Sequence, residues 1–175
     1  MKNLKIDLGC GRSKKVGYLG FDIEKFEGVD KVVDLTKGIP LKSNTVTEVH
    51  ASHFFEHLYH EDLEFIMREV YRVCNNGAKI TIKVPHFSSF GAYHEHHRLF
   101  FRYMSFRDYY DEGYSKRKEL VKILSRKYRL QKPFGFLGPF FEKNWQIYEK
   151  TLLKYLFPCF EIEFNFQVIK PRPKE

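Results

Sequence analysis

Two sets of residues in this chain are spaced for chemistry. Near its start, Ile6-Asp7-Leu8-Gly9-Cys10-Gly11 carries an apolar run into two glycines, and a second run, Leu19-Gly20-Phe21-Asp22-Ile23, closes on an acid. Glycines at the carboxyl end of a buried parallel strand remove the Cβ atoms that would hold a ligand off the backbone. An acid at the end of the next strand can accept hydrogen bonds from the two hydroxyls of a ribose. The second set is histidine: all eight fall between His50 and His97.

The glycine spacing narrows the ligand. A dinucleotide fingerprint would carry a third glycine at position 14 and its acid about 20 residues further on. Here position 14 is Lys14, and Asp22 follows Gly11 too closely. S-adenosylmethionine (SAM) has ribose and adenine but no pyrophosphate, so it needs no helix N-terminus against two phosphates. An ordinary strand-to-loop turn accounts for the same two glycines, and that alternative stays open at this point.

The histidines divide into two groups. His53-Phe54-Phe55-Glu56-His57 fits the inverted zinc-peptidase pattern, in which two histidines four apart on a helix bind zinc beside a catalytic glutamate. His60 would continue that face. The pattern is short and arises by chance, so zinc hydrolysis through His53, Glu56 and His57 is a rival reading, and no metal is expected. His86, His94, His96 and His97, with Arg98, follow the fifth apolar run, at the end of the sheet where open α/β folds bind ligands. A neutral histidine can take a proton from a hydroxyl or amine there. His97 is the expected base, with His94 as its substitute. Phe87, Phe90, Tyr93, Phe100, Phe101, Tyr103 and Phe106 flank them, divided between core and pocket wall.

These groups need strands to hold them. Besides the first two runs, Lys31-Val32-Val33-Asp34-Leu35, Val46 to Ala51 and Lys79 to Val84 read as strands, the last stopped by Pro85. Leu63, Phe65, Ile66, Met67, Val70, Val73 and Cys74 follow a helical period between the last two, with Asn75-Asn76-Gly77 as the stop. Strand, helix, strand is a parallel crossover, so the class is α/β. Arg12 to Gly17 is too short for a helix and is expected as a compact loop. Further on, Ser105 would cap a short helix to Tyr110, Tyr128 to Gln131 reads as a strand, and Asn144 to Phe157 as a helix with Ile147, Leu152, Leu153 and Leu156 inward. Phe160 to Val168 alternates as a strand.

Four stretches, in this order, resemble the class I SAM-dependent methyltransferases, in particular the small type 11 kind. Asp7-Leu8-Gly9-Cys10-Gly11 is similar to that family's cofactor loop, and Asp22 with Ile23 to its ribose-binding strand end. Asp34-Leu35, before Ile39-Pro40-Leu41, resembles the adenine segment. Ala51-Ser52-His53-Phe54-Phe55-Glu56-His57-Leu58 resembles the loop after the fourth strand, with Ser52 and His53 at the methionine end, and Glu69-Val70-Tyr71-Arg72-Val73 with Gly77 the helix beyond it. The resemblance implies a Rossmann-like seven-stranded mixed sheet whose last strands are antiparallel, with SAM as cofactor. A first helix reduced to a loop departs from the larger members and leaves any role of Arg12 or Lys14 open. One domain over residues 1–175 is expected, its cofactor half over about 1–90 and its substrate side over about 91–175.

Composition bounds the rest. The chain has 175 residues, 43% hydrophobic and 30% charged, an ordinary globular balance. No apolar stretch approaches the roughly 20 residues of a spanning helix, and Met1-Lys2-Asn3 leads straight into a strand, leaving no room for a signal peptide. Cys10, Cys74 and Cys159 are odd in number and unpaired in spacing, which points to a reducing cytoplasm. The net charge of +8 concentrates in Lys116, Arg117, Lys118, Lys122, Arg126, Lys127, Arg129 and Lys132, with Glu119 the only acid among them. Nucleic acid, an anionic substrate, an anionic membrane surface or a solvated helix face would each explain it. No RNA-binding module is recognisable, so a saccharide or other small polar acceptor is preferred over RNA, with a non-catalytic protein of the SAM-binding fold as the alternative.

Overall fold

The computed structural model describes residues 3–110 and 120–170. Seven strands form one mixed sheet: β1 (Leu4–Leu8), β2 (Leu19–Asp22), β3 (Lys31–Val32), β4 (Val46–Ser52), β5 (Cys74–Pro85), β6 (Leu120–Leu130) and β7 (Cys159–Ile169). Their spatial order is β3-β2-β1-β4-β5-β7-β6. The first five are parallel, in registers such as Leu8 beside Phe21 and Leu8 beside Ala51. β7 runs antiparallel between β5 and β6. Ile6, Leu8, Phe21, Ala51, Ile82, Val84, Ile162, Phe164 and Phe166 are fully buried and form the centre of the core.

No helix joins β1 to β2. The loop is held instead by carboxylates: Asp7 Oδ2 accepts from the Lys15 N–H at 2.7 Å, while Asp30 Oδ2 takes both the Gly20 N–H at 2.7 Å and the Lys14 ammonium at 2.8 Å. These bonds supply the closure that helix packing normally gives a parallel crossover.

The long helix α1 (His60–Val73) buries Ile66, Met67, Val70 and Val73, while Phe65 is exposed. It ends before the expected stop. The Asn44 and Thr45 N–H groups donate to the Arg72 and Val73 carbonyls, at 3.1 and 2.8 Å, satisfying the last turn without a left-handed glycine. Asn75, Asn76 and Gly77 therefore already belong to β5.

The second half departs further from its pattern. α2 (Arg107–Tyr110) is not capped by Ser105, whose hydroxyl accepts the Arg102 N–H, and Phe106 precedes it at φ 64°. β6 is far longer than Tyr128 to Gln131, because its whole length pairs with β7. After α3 (Gly138–Lys143), the expected helix over Asn144 to Phe157 is two pieces, α4 (Trp145–Lys150) and α5 (Leu153–Leu156). Thr151 is extended between them. The break turns Ile147, Leu152 and Leu156 outward and leaves Leu153 half-buried, and Tyr148 is the fully buried residue. Lys116, Arg117 and Lys118 lie outside the described residues. Among the described ones, no helix is long and apolar enough to cross a membrane.

Candidate functional site

A cavity of about 450 Å³ opens at the carboxyl ends of β1, β2 and β4, within the range usual for small-molecule sites. Gly9, Gly11, Asp22, Ile23, Asp34, Leu35, His53, Phe54 and His57 line it, with Glu24, Phe26, Val33, Thr36 and Leu58. Segments separated by more than 40 residues thus converge at the sheet end where α/β folds bind ligands.

The two glycines do different work. Both have positive φ, 61° at Gly9 and 50° at Gly11. A Cβ at Gly9 would sit 2.4 Å from a carbon of the Phe54 ring, so the missing side chain makes room for Phe54. At Gly11 a Cβ would meet nothing within 4 Å. Gly11, not Gly9, leaves backbone open to a ligand.

Asp22 is mostly buried and both oxygens are engaged: Oδ2 accepts from the Gly11 N–H at 2.7 Å and Oδ1 from the Glu24 N–H at 3.0 Å. Each carboxylate oxygen keeps a second acceptor site. Asp34 starts a 3₁₀ turn over Leu35–Lys37, its Oδ1 accepting from the Thr36 N–H and hydroxyl, while Oδ2 faces Lys37 at 3.3 Å. The Thr36 hydrogen bonds hold the Asp34 carboxyl below its usual range.

Three expected contacts fall outside the lining. Cys10 turns its sulfur over Gly20, where burial, with Asp7 and Asp22 nearby, raises the thiol to about 11. Asp7 lies behind the loop, bonded to the Lys15 N–H and to His50 Nδ1 at 2.8 Å, so it positions the glycine turn without facing the cavity. Ser52 is half-buried at the end of β4 and is not a lining residue. Lys14 is bonded to Asp30, and Arg12 lies over the Phe26 ring.

His53 follows β4 at φ 54°. Its Nδ1 lies 3.1 Å from Glu56 Oε1 and its Nε2 3.2 Å from Glu161 Oε2. Hydrogen bonds to Glu161 and then Glu56 raise its pKa to about 9, so it is an imidazolium donating from both nitrogens. That geometry removes it from the zinc-peptidase pattern, since neither nitrogen is free to ligate. His53 and His57 do not share an α-helix either; only a 3₁₀ turn over Phe55–His57 follows His53.

The histidines after β5 separate by burial. His86, expected on the substrate side, is fully buried. Its Nε2 lies 3.2 Å from Glu149 Oε1 and its Nδ1 2.8 Å from the Ser88 hydroxyl. Burial lowers its pKa despite Glu149. Glu149 Oε1 also accepts from the Tyr103 N–H at 2.6 Å and the Tyr128 hydroxyl at 2.9 Å. Phe101 and Phe106 stack in the core, whereas Phe90, Tyr93 and Phe100 are exposed.

His97 is not a lining residue, but its neighbours bring it back against His57, which is. The Arg98 and Leu99 N–H groups both donate to the Glu56 carbonyl, at 2.7 and 3.2 Å, and the Arg98 guanidinium lies over the Tyr59 ring at 4.1 Å. The His97 ring stands edge-on to His57, centroids 4.8 Å apart. Burial lowers its pKa, with His57 and His94 adding to the effect against Glu56, so it is neutral at neutral pH. His94 is exposed, its ring 5.4 Å from that of His97. Sequence spacing could not reveal the pairing of His57 with His97, which depends on this returning loop.

No family model and no curated protein matches the sequence. Solved structures do. The chain is similar to a SAM-dependent methyltransferase from Archaeoglobus fulgidus, at 19% identity over 94% of this chain and 86% of that one, with a TM-score of 0.59. It is similar to a chain from a complex between the Haloferax volcanii Trm112 methyltransferase activator and a methyltransferase, at 14% identity over 98% and 84%, TM-score 0.57. A third likeness is to Haemonchus contortus phosphoethanolamine N-methyltransferase 1, in complex with phosphoethanolamine and S-adenosylhomocysteine, at 11% identity over 100% of this chain and 41% of that one, TM-score 0.59. The seven-stranded Rossmann-like architecture of class I methyltransferases is the fold of this chain.

Proposed function

We propose that this chain is a SAM-dependent methyltransferase acting on a small polar acceptor. The observation that carries the reading is the single cavity in which Gly11, Asp22 and Asp34 meet at the carboxyl ends of adjacent parallel strands. Its size and its donor set fit a nucleoside: open backbone at Gly11, a carboxylate with acceptor sites to spare at Asp22, and an apolar wall of Ile23, Val33 and Leu35. Asp22 would hold the ribose hydroxyls, Asp34 and Leu35 the adenine. His53, also in the lining, would stand at the methionine end. Bound there, SAM supplies an electrophilic methyl group. The chain's residues then have to align the acceptor, exclude water and receive one proton. The returning loop with His94 and His97 stands on that side.

The basic residues of β6 support a small acceptor over RNA. Lys122, Lys127 and Arg129 sit on the edge strand opposite β3, well across the sheet from the cavity, and Arg129 is already bonded to Glu163 at 2.9 Å. Cys10, Cys74 and Cys159 are buried thiols whose pKa burial raises, a condition suited to the reducing cytoplasm we assign to the protein. Calorimetric titration with SAM and with S-adenosylhomocysteine, followed by an acceptor screen with labelled methyl groups, tests the reading. Saturable micromolar binding of both is expected. Failure of both to bind folded protein at millimolar concentration overturns it.

A further inference from the structure

We propose that Glu56, His57 and His97 form a site for a divalent transition metal, on the wall of the cavity. One ligand atom from each of these residues lies within 4.8 Å of the others. Glu56 and His97 each carry a polar atom that is otherwise unexplained. Glu56 is fully buried, and its Oε2 has no hydrogen-bond partner; the same holds for the buried Nδ1 of His97. Leaving a buried carboxylate oxygen unpaired is costly, so such atoms call for a partner.

The surrounding hydrogen bonds are those of a metal centre. His57 Nδ1 lies 3.3 Å from the His96 carbonyl and donates to it, which fixes the tautomer and leaves Nε2 as a lone pair. His97 is likewise hydrogen-bonded to the Ala92 backbone, leaving Nδ1 free. The other oxygen of Glu56 is held by His53. Each ligand is thus oriented through its second polar atom, the arrangement by which proteins aim metal ligands. The Glu56 carbonyl anchors Arg98 and Leu99, so the group that offers Oε2 also carries His97 to it.

Two imidazoles and one carboxylate suit zinc and its transition-metal neighbours better than magnesium or calcium, which prefer all-oxygen shells. Tetrahedral ligands at zinc distances stand about 3.3 Å apart, so atoms within 4.8 Å of one another need close by no more than about 1.5 Å on binding. His57, which is exposed, has the freedom to do this. The spacing pattern His53-x-x-Glu56-His57 therefore names a metal motif with the wrong partner: His97, 40 residues later, replaces His53.

Three protein ligands leave a position open, and His57 is the member that also lines the cavity. An oxygen ligand taken up there, water or an acceptor hydroxyl, would be acidified and release its proton to solvent. This role rests on the methyltransferase reading and would make His97 a ligand in place of a free base. The metal site itself does not depend on it.

The test is titration of the full-length, chelator-treated protein with Co²⁺, read by visible absorption, and with Zn²⁺, read by calorimetry and thermal unfolding. One equivalent of each is expected to bind, raising the melting temperature. His97→Ala and His57→Ala should each lose 100-fold or more in affinity, while His60→Ala binds as the parent does. His57 is exposed, so its variant remains informative if His97→Ala fails to fold. Absence of saturable binding by 100 μM metal, parent-like affinity in both variants, or binding of Mg²⁺ alone would overturn the site. S-adenosylhomocysteine binding, measured on the metal-free protein, separates that outcome from failure of the methyltransferase reading.

Discussion

Substituting the two loop glycines one at a time should separate packing from ligand binding. At Gly9, an alanine Cβ would stand 2.4, 2.7 and 2.8 Å from three carbons of Phe54, two of them in a ring that packs edge-on against Phe55 at 5.3 Å. Overpacking of this kind costs about 1–3 kcal/mol, and a left-handed backbone at φ 61° adds about 1 kcal/mol for a residue with a Cβ. A total near 3 kcal/mol should lower the melting temperature of a chain this long by roughly 6–12 °C. At Gly11 only the backbone cost applies, because a Cβ there meets nothing, so about 1 kcal/mol and roughly 2–4 °C are expected. The Gly11 Cβ, however, would project into the cavity and should weaken SAM binding at least about tenfold, a loss near 1.4 kcal/mol. Differential scanning calorimetry and SAM titration on both variants measure the two effects. If Gly9→Ala melts with the parent, or Gly11→Ala binds SAM with parent affinity, the division of labour argued from the Cβ positions is wrong.

Three further outcomes follow from the hydrogen bonds. Asp22→Ala should weaken SAM binding about ten- to hundredfold and, because the Gly11 and Glu24 N–H groups lose their acceptor, also cost about 2 kcal/mol of stability; unchanged affinity would remove Asp22 from the site. Glu149→Ala strips one acceptor from His86, Tyr103 and Tyr128 together and should destabilise by about 3–5 kcal/mol, so a melting temperature within 3 °C of the parent would contradict the network. His86 faces Glu149, Ser88, Tyr128 and Tyr148, with Lys154 acting at longer range, and its folded pKa is depressed by burial. The unfolded chain therefore takes up a proton near pH 6.5 that the folded chain resists, and stability should fall as pH drops below that value, by up to about 1.4 kcal/mol per unit. Urea unfolding between pH 5 and 7.5 should show a shallower acid limb in His86→Gln than in the parent; parallel limbs would rule out His86 as the source.

What the sequence makes legible here is whatever rests on neighbours along the chain. β1, the glycine turn and β2 lie within 22 residues, and their apolar runs and turn residues show the strand ends, the helix-free connection and the cavity-lining acid. Packing across the chain is not legible in the same way. The partner of Gly9 is Phe54, 45 residues on, and only coordinates reveal that the glycine's space is already filled. The helix over Asn144 to Phe157 misleads for a local reason: its apolar residues keep a helical period, but the Thr151 hydroxyl donates to the Ile147 carbonyl and accepts the Leu153 N–H, a side-chain alternative to the helix ladder. His86 misleads for the opposite reason. It resembles its polar neighbours in sequence, yet a carboxylate 63 residues away and three aromatic rings give it a place in the core.

Glu56 shows why the site could not be read one motif at a time. It sits in a run of eight residues whose likeness to a cofactor loop and to a zinc pattern compete for the same side chains. In the folded chain it serves both walls of the cavity. Its carbonyl accepts the Arg98 and Leu99 N–H groups and so holds the acceptor-side loop, Oε1 accepts the Nδ1–H of His53 on the cofactor side, and the carboxylate clusters with His57 and His97. A charge buried this deeply is tolerated only where partners compensate it. The imidazolium of His53 compensates one oxygen, and its hydrogen bonds to Glu161 first and then to Glu56 raise the pKa of that ring. The second oxygen has no such partner, and neither His57 nor His97 hydrogen-bonds to it. A cation between them would complete the balance that the protein's own side chains leave open.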